Sequence, residues 1–303
     1  MIKHTHFFQF FSLLFHLLLL TFFFSSSAQA LPEQALVPGG IALLVLPGYK
    51  SNTKVYFNKK RIAVFPYKNT QGKNTWLAMA GIGLSNKPGD YEFSIQQADG
   101  LSLNTKITVK HKKYAEQHLT IKNKRKVNPN AEDSKRITSE SKRKKKARKH
   151  YSEVSPHVEF IWPVTGRISS IFGLRRFFNE QERRPHSGLD IAATEGTPIK
   201  AAANGVVLDT GDFFFSGNMI YLDHGQGIVS LYAHLSKISV KPGDIIQQGD
   251  IIGEVGQTGR VTGPHLHFAV YANQTLIDPV FMLPKNGNPA MLSSKEETTL
   301  QKK

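Results

Sequence analysis

Apolar residues in this chain fall in short runs, many of them alternating with polar positions. Between residues 31 and 125 the runs occupy 41–46, 54–57, 61–65, 75–84, 91–95 and 101–109. Alternation of this kind puts every second side chain on one face of a strand. Turn chemistry separates the runs: Pro47-Gly48, Asn58-Lys59, Lys87-Pro88-Gly89-Asp90 and Asp99-Gly100, the last being favoured in tight hairpins. Short strands at this spacing predict a β-sandwich. After a polar stretch the pattern resumes at Trp162-Pro163, and 166–173 reads as a strand with a glycine at each end. Residues 177–185 are charged and lack alternation, which predicts a loop. Phe213-Phe214-Phe215, between Gly211 and Gly217, cannot all face one core from a strand, so one or two are expected to be exposed on a loop. Glycine-rich turns at 240–259 continue the β pattern. The fold class expected is all-β, with an N-terminal β-sandwich followed by a C-terminal antiparallel, barrel-like sheet.

Composition changes this picture at both ends and in the middle. Lys3 precedes a run from Phe7 to Phe24 that is almost entirely Phe and Leu, and Ala28-Gln29-Ala30 follows. That order predicts a secretory signal peptide at 1–30 and an exported protein of the periplasm or cell envelope. The alternative is an uncleaved membrane anchor, because the run approaches the ~18–20 residues that a span requires. Residues 286–303 are polar and read as a disordered tail. The sequence contains no cysteine, so it has neither disulfides nor thiolate ligands, and any metal must be held by His, Asp or Glu.

The formal charge of +16 is uneven. Residues 111–150 hold fifteen Lys and Arg against four acids, a net +11. Such a block repels itself and has few apolar positions, which predicts a solvated linker or an irregular helix. The domain reading is therefore a sandwich at 31–125, a basic linker at 126–156 and a second β domain at 157–285. The block reads either as a plain spacer or as a segment that attracts an anionic polymer, which in an exported protein means cell wall or lipid phosphate, not nucleic acid.

The candidate chemistry lies in the second β domain. His186 and Asp190 bracket Ser-Gly-Leu, His234 ends Tyr232-Ala233-His234, and His265 and His267 flank Leu266. On a strand, residues two apart share a face, so His265 and His267 point the same way. Gly188 would allow a tight turn that brings His186 and Asp190 to one point. A hydrolytic zinc site needs three N or O ligands, an open position and a further group to move a proton. His224, in a glycine-flanked hairpin turn, reads as structural.

These motifs, with Gly196-Thr197-Pro198, Ala202 to Val206, Val240 to Gly253 and Val255 to Gly259, resemble the LytM/lysostaphin-type zinc metallopeptidases of the M23 family over about residues 160–284. Carried over by position, the resemblance implies that His186, Asp190 and His267 are zinc ligands and that His234 and His265 are non-ligand catalytic histidines. Which of the two is the general base stays open. Arg175 stands where the family often has an arginine, which braces the site or lies on the surface. The resemblance also implies peptidoglycan as the substrate, through hydrolysis of cross-links or stem peptides. A non-catalytic peptidoglycan-binding module or hydrolase activator is the alternative. The sandwich, with Asp90-Tyr91-Glu92-Phe93 after Pro-Gly, is similar to the immunoglobulin-like domain that precedes the peptidase in some secreted members, and reads as a spacer or packing partner. The turns at 240–259 also resemble biotinyl and lipoyl carrier domains. Those need a lysine at a hairpin tip, and none occurs between Pro242 and Pro264.

Overall fold

The computed structural model describes residues 31–49, 53–68, 71–97 and 100–285. The expected signal segment and polar tail lie outside the described residues, as does Asp99 of one expected turn.

The N-terminal unit is a sandwich of two antiparallel sheets. One has the order β1 (Ile41–Val45), β5 (Asn74–Gly81), β4 (Ala63–Lys68). The other runs β3 (Lys60–Arg61), β2 (Lys54–Phe57), β6 (Gly89–Gln96), β7 (Ser102–Val109). Asn58 and Lys59 both adopt positive φ at the β2–β3 turn, as a two-residue hairpin requires. Alternation divides β5 between two cores. Ala78 and Ala80 face Val55, Phe57, Ile62 and Phe93 inside the sandwich. Leu77 and Met79 face the opposite way and join Val158, Phe160, Val270 and Ile277 of the second unit. The two units therefore share a continuous core. At the seam Gly81 N–H donates to buried Asn273 Oδ1 at 2.6 Å, and a Cβ on Gly81 would meet Ala272 O at 2.9 Å.

The connection begins with β8 (Glu116–Leu119), which pairs in parallel with β10 (Arg175–Phe178). β10 turns back into β11 (Gln181–Glu182), so the expected loop at 177–185 is in part a short hairpin. The main sheet has the order β18 (Ile245–Ile246), β14 (Gly205–Phe213), β15 (Gly217–Asp223), β16 (Ile228–Leu235), β20 (His265–Ala272), β12 (Leu189–Ala192), β9 (Arg167–Ser170), with β21 (Thr275–Ile277) beside β20. A smaller sheet, β13 (Pro198–Lys200), β19 (Ile251–Glu254), β17 (Lys237–Ile238), packs Ile199 and Ile252 into the same core as Leu266 and Phe268.

The opposite face of the main sheet carries the largest departure from expectation. Residues 131–148 form one regular helix, α1 (Ala131–Arg148), started by a capping box between Asn130 and Asp133. Asp133, Glu140 and Ala147, seven residues apart, are its buried positions. Glu140 accepts Phe214 N–H at 2.9 Å and Arg136 Nε–H at 2.6 Å. Arg136 also bonds Asp212, and Arg143 bonds Asp209 at 2.6 Å. The self-repulsion expected of this block is relieved by acids that lie 66–76 residues further along the chain. The Phe triplet is corrected by the same contact. Phe213 and Phe214 are buried beneath the helix, with Arg143 4.5 Å above one ring and Lys126 3.9 Å above the other. Phe215 is half-buried, meets Phe214 edge to face, and has Arg260 4.4 Å above its ring.

Removing the Glu140 carboxylate would leave the buried Phe214 amide without its partner and the Arg136 guanidinium with Asp212 alone. Glu140→Ala should therefore cost about 1–3 kcal/mol in urea unfolding. Lys142→Ala, on the exposed face of the same helix, should change stability by no more than about 0.5 kcal/mol. Equal, small effects would mean that the helix is only loosely held.

Candidate metal centre

Pairing places one row of residues across four neighbouring strands: Ser170 of β9 opposite Asp190, Asp190 of β12 opposite His267, and His267 of β20 opposite Ala233 of β16. Directly paired residues share a face, so Ser170, Asp190 and His267 project to the side that α1 covers further along. His265, two residues before His267, joins them, while Leu266 and Phe268 turn into the core. His186 enters from the turn before β12, held by reciprocal backbone bonds with Leu174 and Gly173.

Three atoms converge there. His186 Nε2 lies 2.9 Å from Asp190 Oδ1, His267 Nδ1 lies 2.7 Å from the same oxygen, and the two ring nitrogens are 3.1 Å apart. The other nitrogen of His186 donates to the Ile171 carbonyl at 2.6 Å. That bond favours the proton on Nδ1 and points Nε2 at Asp190 Oδ1 and His267 Nδ1. Burial pushes His186 down to about 4. Burial alone would raise the Asp190 carboxyl, but its attraction to His186 and His267 outweighs that and holds it well below the usual range. At pH 7 the neutral ring and the ionised carboxylate are the forms that bind metal. One ion ~2.0–2.2 Å from each of the three atoms can reach all of them. The residues fit zinc in both donor type and number.

Gly188 departs from its expected role. It is absent from the positive-φ residues, and its lack of a side chain provides clearance instead. A Cβ there would lie 2.4 Å from Phe268 O and 2.8 Å from His267 Cε1.

His234 reaches the site by a distortion. Ala233 pairs with Met219 and Leu235 with Asn218, which leaves His234 as the extra residue of a bulge. Its φ is 69°, in the left-handed region. Simple alternation would have sent His234 to the face opposite Ala233. The bulge re-aims it, and its ring stands 4.9 Å from that of His265 and 5.9 Å from that of His267. A non-glycine residue held at such a φ carries strain that the surroundings must maintain. Here Ser216 O accepts its amide and Thr258 O accepts its Nδ1–H at 2.8 Å. Burial first, then the nearby His265 and His267, pushes its pKa well below the ordinary imidazole value. His265 donates Nδ1–H to Gly263 O at 2.8 Å, and its Nε2 lies 3.8 Å from Asp190 Oδ1. Both rings thus keep Nε2 free to accept or pass on a proton.

Arg175 is not the bracing arginine: its exposed side chain pairs with Glu116 and Glu182. The next residue, Arg176, donates to Asp190 Oδ2 at 2.7 Å. Sequence reasoning missed Arg176, Ser170 and the Thr258 carbonyl. Strand alternation says that Arg175 and Arg176 face opposite ways, but not which of them faces the site. Tyr232 is a core residue whose hydroxyl accepts the Ala202 amide at 2.8 Å. His224 is buried and bonded to Asn204 O and Ser230 Oγ, a structural role as expected.

Comparison with known proteins gives a consistent result. The family model described as Peptidase family M23 matches residues 184–279, and that described as Peptidase family M23 N-terminal domain matches 34–112. The crystal structure of a Pseudomonas aeruginosa protein described as a peptidase M23 is 36% identical, with a TM-score of 0.68, and covers 82% of this chain and 95% of that one. The DD-carboxypeptidase/endopeptidase Mpg of Neisseria meningitidis is 44% identical over 117 residues, which is 39% of this chain and 27% of that protein. The peptidoglycan DD-endopeptidase ShyA of Vibrio cholerae is 46% identical over 103 residues, 34% of this chain and 24% of that protein. The match thus spans about a quarter of the length of either curated relative.

Because the Gly188 site has no room for a side chain, Gly188→Ala should displace the His267 ring. Metal affinity, measured by competition with a chromophoric chelator, should fall about 10-fold or more, as when an orienting group is lost. Unchanged affinity would show that the ring is not confined by this glycine.

Proposed function

The chain belongs to peptidase family M23, and from that premise we propose that it is an exported zinc metalloendopeptidase that hydrolyses peptide bonds in the cross-links or stem peptides of peptidoglycan. The observation that carries this reading is the convergence of His186, Asp190 and His267 on one point, with His234 and His265 beside it. The substrate class rests on relatives named for peptidoglycan and DD-peptide cleavage. Among the described residues no helix is long and apolar enough to cross a membrane; export rests on the character of residues 1–30.

His186, Asp190 and His267 would hold zinc, which when bound supplies Lewis acidity and lowers the pKa of water to about 7. The chain's own residues do the rest. His234 and His265, each anchored through Nδ1 to a carbonyl, present Nε2 to the reacting atoms. One takes the proton of the attacking water, and the other donates to the oxygen on which charge develops. The proton then passes to the leaving amine. The left-handed bulge at His234 prepays the orientation that this proton transfer needs.

The test is cleavage of purified wall sacculi by the full-length protein, with products identified by mass spectrometry. Cut stem or cross-link peptides are expected, and binding without cleavage would favour a non-catalytic wall module. His267→Ala should lose most bound zinc and all cleavage. His234→Ala and His265→Ala should keep zinc and lose about 10²–10⁴-fold in rate. Zinc loss from His265→Ala would exchange the roles of the two histidines in the pair.

The outer face of α1 suits the anionic envelope polymer expected of the basic segment. Lys135, Lys142, Lys145, Lys146 and Lys149 are exposed on the side away from the sheet, a stripe of about 21 Å at 1.5 Å per residue. Attraction through exposed lysines is screened over about 8 Å at physiological salt. Wall binding should weaken steeply as salt rises, and changing these five lysines to Gln should flatten that dependence while cleavage of a small soluble peptide continues at the parent rate. Salt-independent binding by the parent would leave the stripe as a solvated face.

A further inference from the structure

Asp190 is steered from outside the second β domain. Its Oδ2 accepts Arg176 Nη2–H at 2.7 Å, which leaves Oδ1 for the point shared with His186 and His267. The same Nη2 donates to Ser170 Oγ at 2.9 Å. Arg176 Nε–H donates to Gln117 Oε1 at 3.0 Å, and Ser170 Oγ–H donates to that oxygen at 3.2 Å. Gln117 thus closes a ring of hydrogen bonds behind the carboxylate. It belongs to β8, on the segment that joins the two units, and pairs in register with Arg176.

β8 is fixed at both ends. Just before it, the Tyr114 ring fills the space over Gly173, where a Cβ would meet its Cε1 at 2.1 Å. The Tyr114 hydroxyl donates to Pro38 O of the N-terminal unit at 2.6 Å. At its other end, Leu119 and, just beyond, Ile121 pack on Phe178 of β10. The oxygen of Gln117 is therefore held against Arg176 by contacts from both units.

We propose that Gln117 is a positioning residue for the metal centre, so that the strand joining the two units completes the zinc site. The proposal rests on the reading of His186, Asp190 and His267 as ligands. A guanidinium with one edge unpartnered can rotate about its stem. With Nε held by Gln117, its plane is set, Nη2 stays on Asp190 Oδ2, and Oδ1 stays at the point it shares with His186 and His267. Outer groups of this kind commonly change metal affinity about 10–100-fold.

Zinc affinity of the full-length protein, by chelator competition, tests the proposal with four variants. Gln117→Met keeps the length and removes the acceptor, and Gln117→Glu restores an acceptor. Arg176→Lys removes the planar fork, and His267→Ala removes a ligand. Gln117→Met should bind zinc about tenfold more weakly at unchanged thermal stability of the apoprotein, Gln117→Glu should return close to the parent, and Arg176→Lys should weaken binding at least as much as Gln117→Met. Parent affinity in Gln117→Met, with zinc lost from His267→Ala, would overturn this proposal alone. Weak binding in both Gln117→Met and Gln117→Glu would also overturn it, by showing a packing role. Retention of zinc by His267→Ala would overturn the ligand reading and this proposal with it.

Discussion

Three acceptor atoms within about 3 Å of one another, in a buried site, are the constraint on which the rest of the structure depends. His186 Nε2 carries a lone pair because its other nitrogen serves the Ile171 carbonyl. It faces an ionised Asp190 and a nitrogen of His267. A buried charge with no counterpart is costly, and a cation at the centre supplies one to all three atoms at once. The surroundings are arranged to keep the three atoms together. Arg176 neutralises the outer oxygen of Asp190, Gly188 makes room for the His267 ring, and strand pairing sets Asp190 directly opposite His267.

The sheet serves the site through its registers. One face is a continuous core shared with the smaller sheet and with β5 of the N-terminal unit. This frees the other face to carry polar chemistry at one end of the row and α1 further along. The bulge at His234 breaks the regular ladder at a single residue, and the loops bearing Ser216 and Thr258 hold that break in place. α1 in turn clamps the β14–β15 hairpin from which Ser216 comes, through Glu140, Arg143 and Lys144, whose Nζ donates to Ser216 Oγ at 3.0 Å. The basic segment thus has two faces. Its inner side supports the loop behind a candidate catalytic residue, and its outer side is free to meet an anionic surface.

Much of this was legible in the chain because it depends on short-range rules. Alternation puts His265 and His267 on one face whatever the tertiary context, and the runs between residues 41 and 109 read as strands for the same reason. What was not legible depends on partners distant in sequence. The block read as a solvated linker or an irregular helix, and the regular, packed helix at 131–148 was not legible because its neutralising partners are Asp209 and Asp212. The burial of Phe213 and Phe214 needed the same contact. Arg175 and Arg176 are equivalent in composition, and only the pairing of β10 with β8 decides which one turns toward Asp190. His234 is the sharpest case, since alternation alone would have placed it on the wrong face and nothing in Tyr-Ala-His announces a left-handed residue.

The most direct test of a cation at this centre is anomalous diffraction at the zinc edge from crystals of the full-length protein grown with zinc. A single strong peak lying ~2.0–2.2 Å from His186 Nε2, Asp190 Oδ1 and His267 Nδ1, with the His234 and His265 rings outside bonding distance, is the result predicted. A peak bonded to His265 or His234 in place of one of the three, or no peak among these five residues in crystals that hold zinc elsewhere, would contradict it.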